Sequence, residues 1–204
     1  MTKFYYVRHG ESQLNIQPDI IGGRSNHVEL TERGVRQAQA FGRWLSRSYM
    51  RPDHIVSSPA VRTMQTLRHS IGDVAFTTDD RLQELDQGVK TGAPRVETYN
   101  PAVRQIINEQ QLDFKFDQGE SIQDVMNRNM EYVDEKSAES PDDTFLIFGH
   151  GFAIRSLVGA INNLNHDEIV FGLKTPNTSL TLVETDGPHR RVKFVGIQVS
   201  DSEV

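Results

Sequence analysis

Short apolar runs alternate with amphipathic stretches along this chain. Phe4-Tyr5-Tyr6-Val7 is brief and aromatic and breaks at Arg8-His9-Gly10, which predicts a buried strand running into a loop. After Leu30, Thr31 stands as an N-cap, Glu32 sits in the first turn, and Val35, Ala38, Phe41, Gly42 and Leu45 recur at helical spacing. Ile55-Val56-Ser57-Ser58 predicts a short strand. Pro59 then suits the first position of a helix whose apolar face is Val61, Met64, Leu67 and Ile71. Residues 74–77 predict a further strand, and 101–110 a helix within an otherwise irregular polar stretch. Ser121, with Asp124 three residues on, opens a helix carrying Ile122, Val125, Met126, Met130 and Val133 on one face. The strand over 144–148 ends in Gly149-His150-Gly151 and leads into an apolar helix over 153–164. Alternating segments 179–184 and 192–199, joined through Asp186-Gly187, predict a hairpin or adjacent edge strands.

Strands that alternate with helices predict an α/β fold, a parallel sheet with helices on both faces. Without repeats, low-complexity tracts or Gly/Ser linkers, residues 1–204 read as a single domain, with the polar stretch 88–119 as an excursion over the main body. In such sheets ligands bind outside the carboxyl ends of the strands. Arg8, His9, Arg62, Glu84 and His150 all lie shortly after predicted strands, so this topology gathers five reactive side chains at one edge.

Composition narrows the chemistry. The chain has 204 residues, 36% of them hydrophobic and 25% charged, as in an ordinary soluble globular protein. Its apolar runs, such as 145–148 and 157–161, fall far short of a membrane span, and Met1-Thr2-Lys3-Phe4 does not open a signal region, so a cytoplasmic location is the expectation. The net charge of −6 argues against nucleic acid or an anionic membrane as a partner. The absence of cysteine excludes disulfides, thiolate metal sites and thiolate nucleophiles. Yet 16 of the 22 basic residues are arginine, the side chain whose fork grips phosphate.

Taken singly, each reactive residue has a plainer reading: a loop histidine, a solvated or paired arginine, an acidic surface loop around Glu84. Taken together they suit phosphoryl transfer. Neutral imidazole attacks phosphorus and forms a phosphohistidine that water hydrolyses. Two arginines and a second histidine would hold the phosphoryl oxygens while keeping the attacking imidazole unprotonated. A carboxyl group beside the leaving oxygen would give it a proton and later take one from water.

Arg8-His9-Gly10-Glu11-Ser12, with Asn15 beyond it, resembles the N-terminal signature of the histidine phosphatase superfamily, in the branch containing phosphoglycerate mutases and related phosphatases. The resemblance continues through Leu30-Thr31 with Gly34 and Gln37-Ala38, Ser57-Ser58-Pro59 with Arg62 and Thr66, and Glu84 with Gly88 and Gly92. It resumes at Gly119-Glu120-Ser121, Gly149-His150-Gly151 and Asn177, and so spans almost the whole chain. It implies a three-layer α/β sandwich with a mostly parallel central sheet. By the same resemblance His9 is the nucleophile, Arg8, Arg62 and His150 form the phosphate pocket, and Glu84 is the proton donor. Ser12 and Asn15 lie where the family's first loop contacts phosphate or substrate. No cofactor or metal is implied, and the partner is a small-molecule phosphomonoester.

The chain departs from the mutases it resembles. Leu14 stands where many have Trp and Thr91 where they often have Glu, and only 65 residues separate Glu84 from His150, compact against the mutases' longer substrate-covering insertion. These departures favour a phosphatase, with a cofactor-dependent mutase as the alternative and a non-catalytic phospho-ligand binding module as a third reading. Arg95, Tyr99, Arg104 and Lys115 of the excursion are candidate specificity contacts. His166-Asp167-Glu168 is the one local ligand-like cluster, but adjacent side chains on a helix point apart, and a charge run or a helix start is the plainer role. The oligomeric state is not written in these features.

Overall fold

The computed structural model describes residues 1–199; residues 200–204, counted in the expected 1–204 domain, lie outside the described residues. Six strands form one sheet: β1 (Thr2–Arg8), β2 (His54–Ser57), β3 (Thr77–Thr78), β4 (Thr144–Gly149), β5 (Ser179–Asp186) and β6 (His189–Gln198), in the spatial order β3-β2-β4-β1-β5-β6. β3, β2, β4 and β1 run parallel, while β5 and β6 are antiparallel to their neighbours. In the β1/β4 register Val7 faces Phe148 and Arg8 faces Gly149, so the two strands deliver His9 and His150 side by side. The fold is α/β with a mostly parallel six-stranded sheet.

The helices are α1 (Glu32–Arg47), α2 (Val61–Ile71), α3 (Arg95–Thr98), α4 (Pro101–Gln110), α5 (Ile122–Glu139) and α6 (Gly151–Asn162). Alternation along the strands divides the core between two faces. Phe4, Tyr6, Phe145 and Ile147 pack with Tyr132 and Val133 of α5 and Ile154 and Leu157 of α6. Val7, Leu146 and Phe148 pack on the other face with Phe41 and Leu45 of α1 and Leu67 of α2. Each such buried side chain contributes about 1.5–3 kcal/mol. Among the described residues, no helix is long and apolar enough to cross a membrane.

Several expected boundaries hold. Thr31 caps α1 by accepting from the Gly34 amide, and Ser121 and Asp124 form the reciprocal capping box of α5. Other expectations are corrected. The strand expected over 74–77 is displaced and shortened to Thr77–Thr78, which pair with Val56 and Ser57 of β2. Pro59 precedes the helix start, since Ala60 is the N-cap of α2. The buried face of α2 is Arg62, Thr63, Thr66 and Leu67, with Val61 and Met64 only half-buried. That polar face turns toward the loop after β1, where Thr66 Oγ1 accepts from the Gly10 amide at 3.0 Å.

Two close backbone approaches set the neighbourhood of that loop. A Cβ on Gly34 would lie 2.0 Å from the Glu11 carbonyl oxygen, so α1 packs directly against the loop only with glycine there. The ends of segment 88–119 also meet: Val89 N donates to Asp117 O at 3.1 Å and Glu120 N to Asp86 O at 2.9 Å, and a Cβ on Gly88 would sit 2.0 Å from Asp117 O.

Candidate active site

β1 carries Arg8 and His9 to the carboxyl edge of the sheet, where His9 is 4% exposed. His9 Nδ1 lies 2.7 Å from the Gly10 carbonyl. A carbonyl only accepts, so Nδ1 bears the proton and Nε2 keeps its lone pair. Burial drives the His9 pKa well below that of free histidine, and the charges of Arg62 and Arg8 push the same way, against the bond to Gly10. The ring is therefore neutral, with Nε2 a ready nucleophile. Arg8 donates through Nη1 to Thr175 O at 2.7 Å, while its buried Nε has no partner. Gly151 makes room for it, since a Cβ there would lie 3.0 Å from Arg8 Nε.

Arg62 enters from the first turn of α2 and is 4% exposed. Nη1 donates to Ser25 O at 2.8 Å, and Nη2 to Arg24 O and to His150 Nδ1, both at 3.0 Å. A guanidinium only donates, so His150 Nδ1 is the acceptor and its Nε2–H donates to Ser58 Oγ at 2.8 Å. His150 is completely buried; burial, Arg62 and the nearby His9 keep its pKa well below the ordinary range. Burial lowers Arg62 to about 10, against the pull of Glu84, and it stays charged at neutral pH. The rings of His9 and His150 meet edge to face with centroids 5.4 Å apart.

Glu84 makes no hydrogen bond to these four side chains. Its carboxylate sits at the N-terminus of α6: Oε1 accepts from Leu85 N and Ala153 N at 3.0 Å, and Oε2 from Phe152 N at 3.1 Å. The unpaired amides of a helix start suit an anion, and here they fix the carboxylate two to three residues beyond His150. The Glu84 carbonyl is held in turn by Arg128 Nη2 at 3.2 Å and Arg24 Nε at 3.4 Å, and both arginines bind Glu120. Arg8, His9, Arg62 and His150 thus form one cluster, with Glu84 on its border.

Ser12 is buried, and both its amide and its hydroxyl donate to Asn15 Oδ1, at 3.0 and 3.2 Å. Asn177 Nδ2 reaches the same oxygen at 3.2 Å and His9 O at 3.0 Å, which ties this loop to the backbone of His9. Beyond Glu84 opens a cleft of about 920 Å³, lined by Glu84, Arg155, Phe152 and Phe171 and by Arg95, Tyr99, Arg104 and Lys115 of segment 88–119. His9 and His150 do not line it. His166, Asp167 and Glu168 are occupied at a helix start: His166 Nδ1 contacts Asp167 at 2.9 Å, and Glu168 Oε2 accepts from Asn165 N. Among the described residues no group of three or more His, Asp or Glu side chains is placed to hold a metal ion.

Sequence reasoning passed over Arg24, Arg128, Thr175 and Arg155. Arg155 had a signal, as the sole charged residue in the apolar helix α6. The others act through carbonyls and carboxylates of distant loops and left none.

A family model described as Histidine phosphatase superfamily (branch 1) matches residues 4–198. The chain is 31% identical over 169 residues to the probable phosphoglycerate mutase GpmB of Proteus mirabilis, covering 80% of this chain and 76% of that protein. It is 29% identical over 169 residues to phosphoserine phosphatase 1 of Hydrogenobacter thermophilus, covering 79% and 76% respectively. Among solved structures, Bacillus stearothermophilus YhfR aligns with a TM-score of 0.83 at 25% identity over 98% of both chains. With its sheet order, its paired histidines and a family match over nearly its whole length, this chain belongs to the histidine phosphatase superfamily, branch 1.

Proposed function

We propose that the protein is a phosphomonoester hydrolase working through a phosphohistidine on His9. The carrying observation is the His9 ring itself: Nδ1–H is committed to Gly10 O, while Nε2 stays unprotonated beside Arg8 and Arg62. Nε2 attacks phosphorus, the bond from phosphorus to the leaving oxygen breaks, and that oxygen takes a proton from Glu84. Water then attacks the phosphohistidine, Glu84 takes its proton, and the P–Nε2 bond breaks. Oε1 of Glu84 accepts two amides and Oε2 one, so Oε2 is the oxygen left to carry the proton. The guanidiniums of Arg8 and Arg62 supply donors to the phosphoryl oxygens, and His150 Nε2–H would exchange Ser58 Oγ for one of them. Ser12 and Asn15 shape the loop that borders the phosphate, and no cofactor or metal takes part. Substrates are small phosphomonoesters rather than nucleic acid or membrane, in keeping with the net charge of −6 and with a cytoplasmic enzyme.

A panel of phosphorylated metabolites assayed for phosphate release tests the reading. Hydrolysis of at least one, an acid-labile phosphoenzyme in rapid-quench experiments, and a loss of roughly 10⁴-fold in His9→Ala are expected. Undiminished turnover in His9→Ala would sink it. The relatives named as mutases motivate a second reading, transfer to another hydroxyl of the substrate. Isomerised phosphoglycerate, stimulated by a bisphosphorylated glycerate, would favour that reading, and phosphate release alone decides against it.

A further inference from the structure

The cleft beyond Glu84 holds arginines that make no ion pair with a carboxylate among the described residues, although the charge of Glu84 acts on Arg155 from a distance. Its acids are already occupied: the Glu84 carboxylate sits on the amides of Leu85, Phe152 and Ala153, Glu120 pairs with Arg24 and Arg128, and Asp167 contacts His166. Lys115 pairs with Asp124 at 3.2 Å. Arg95 and Arg104, by contrast, donate only to backbone carbonyls, those of Pro18, Ile20 and Tyr99. Arg155 lies deeper. Its Nη1 donates to Val170 O at 2.7 Å and Ile169 O at 3.4 Å, its guanidinium stands 4.8 Å from the centroid of the Phe152 ring, and its buried Nε has no partner. It springs from α6, two residues after the amide of Ala153 that grips Glu84. The walls around it are aromatic: Tyr99, Phe114, Phe116, Phe152 and Phe171, the last 74% exposed at the rim.

From this juxtaposition we infer that the leaving group of the substrate has a ring-sized apolar body and a second anionic group, which Arg155 holds. The apolar walls bury the body, and the arginine on its aromatic platform meets the anion with a fork that water reaches poorly. A cleft of about 920 Å³ is far larger than a three-carbon phosphoacid would fill, whereas a ring bearing an acid arm uses both its walls and its cation. The inference relies on the hydrolase reading only to place the phosphoryl group at His9, and it concerns binding rather than turnover.

Titration calorimetry with non-hydrolysable phosphonates therefore tests it separately. The probes are para-(phosphonomethyl)phenylpropionate, its propionamide counterpart, and phosphonopropionate, which has both anions and no ring. Wild-type protein is expected to bind the aryl acid about tenfold more tightly than either of the other two. In Arg155→Met the preference for acid over amide should fall to about one, and Arg155→Lys, which keeps a charge without the fork, should restore part of it. Equal affinity of wild type for acid and amide would overturn the inference, as would equal affinity for the ringless probe. So would a preference that survives in Arg155→Met. The wild-type comparisons need no variant to fold. If the preferences appear but no phosphomonoester is hydrolysed in a His9-dependent way, the hydrolase reading fails and the anion site stands.

Discussion

Around His9 the reactive side chains are buried and clasped across elements: Arg62 of α2 bonds the loop at Arg24 and Ser25 and the histidine after β4, while Thr66 holds the amide after His9. In the adjoining cleft, Arg95 and Arg104 are exposed and bound to nearby carbonyls, and Phe171 stands open to solvent. The first region has little freedom to adapt, and in the proposed reaction its polar groups would meet a phosphoryl group already oriented. The second has side chains that can shift to fit a ligand. On the proposed reading, burial and cross-element bonds go with the chemistry, and exposure with selection of the leaving group.

Substitutions in the two regions should therefore differ in kind. Arg62→Ala would remove a proposed donor to the phosphoryl oxygens and unclasp His150 and two loop carbonyls, so kcat/KM is expected to fall about 10³-fold and by a similar factor for every phosphomonoester. A loss confined to some substrates would break the division. Glu84→Gln, at the border, should cost about 10²-fold on alkyl phosphates and less than about tenfold on an activated aryl phosphate, which needs no proton. Rates plotted against leaving-group pKa should steepen in the variant, and an unchanged slope would remove Glu84 from the acid role.

The pocket around His9 also has a pH signature. Both histidines have folded pKa values well below 6.5, so between 6.5 and those values the unfolded chain binds more protons than the folded one. Their contribution is neutral above that window, and stability is lost as pH falls through it. Asp79, lowered by its bonds to Arg81 against the opposing effect of burial, and Glu135, lowered by Arg81 and Lys136, add their own loss only at lower pH. Urea unfolding from about pH 7.5 to about pH 5 should show stability declining, with a shallower decline in His9→Gln; equal slopes would contradict a buried neutral His9. The smallest effect belongs to the rim. Phe171→Ser should lower kcat/KM about fivefold for aryl phosphates and leave phosphoserine within about twofold, which parallel progress curves would read.

Features that depend on a few consecutive residues were legible from the chain. The aromatic run ending in Arg8-His9-Gly10, the Thr31 cap and the Ser121/Asp124 box need only neighbours to form, and each lies where its local pattern predicts. The α2 face was misread because apolar spacing picked out Val61 and Met64, whereas the helix turns Arg62, Thr63 and Thr66 inward. An inward arginine is tolerable only because Arg24 O, Ser25 O and His150 receive its hydrogens, and partners 37, 38 and 88 residues away leave no local periodicity. Residues 74–76 stay outside β3 for a similar reason: a β-prone run becomes strand only where a neighbouring strand pairs with it, and on this side β2 pairs with Thr77 and Thr78 alone.

Local order in the sequence, then, determined the strands and helices, their alternation, and hence the edge at which Arg8, His9, Arg62, Glu84 and His150 collect. It also carried the residue set by which the chain matches its family. Only the tertiary structure decided the tautomers of His9 and His150, the seating of Glu84 on the α6 amides, and the cleft in which Arg155 stands on Phe152 without an ion pair. The physical reason is reach. Capping and amphipathic spacing act over a few residues, whereas protonation, desolvation and charge balance depend on every group the folded chain brings within a few ångströms.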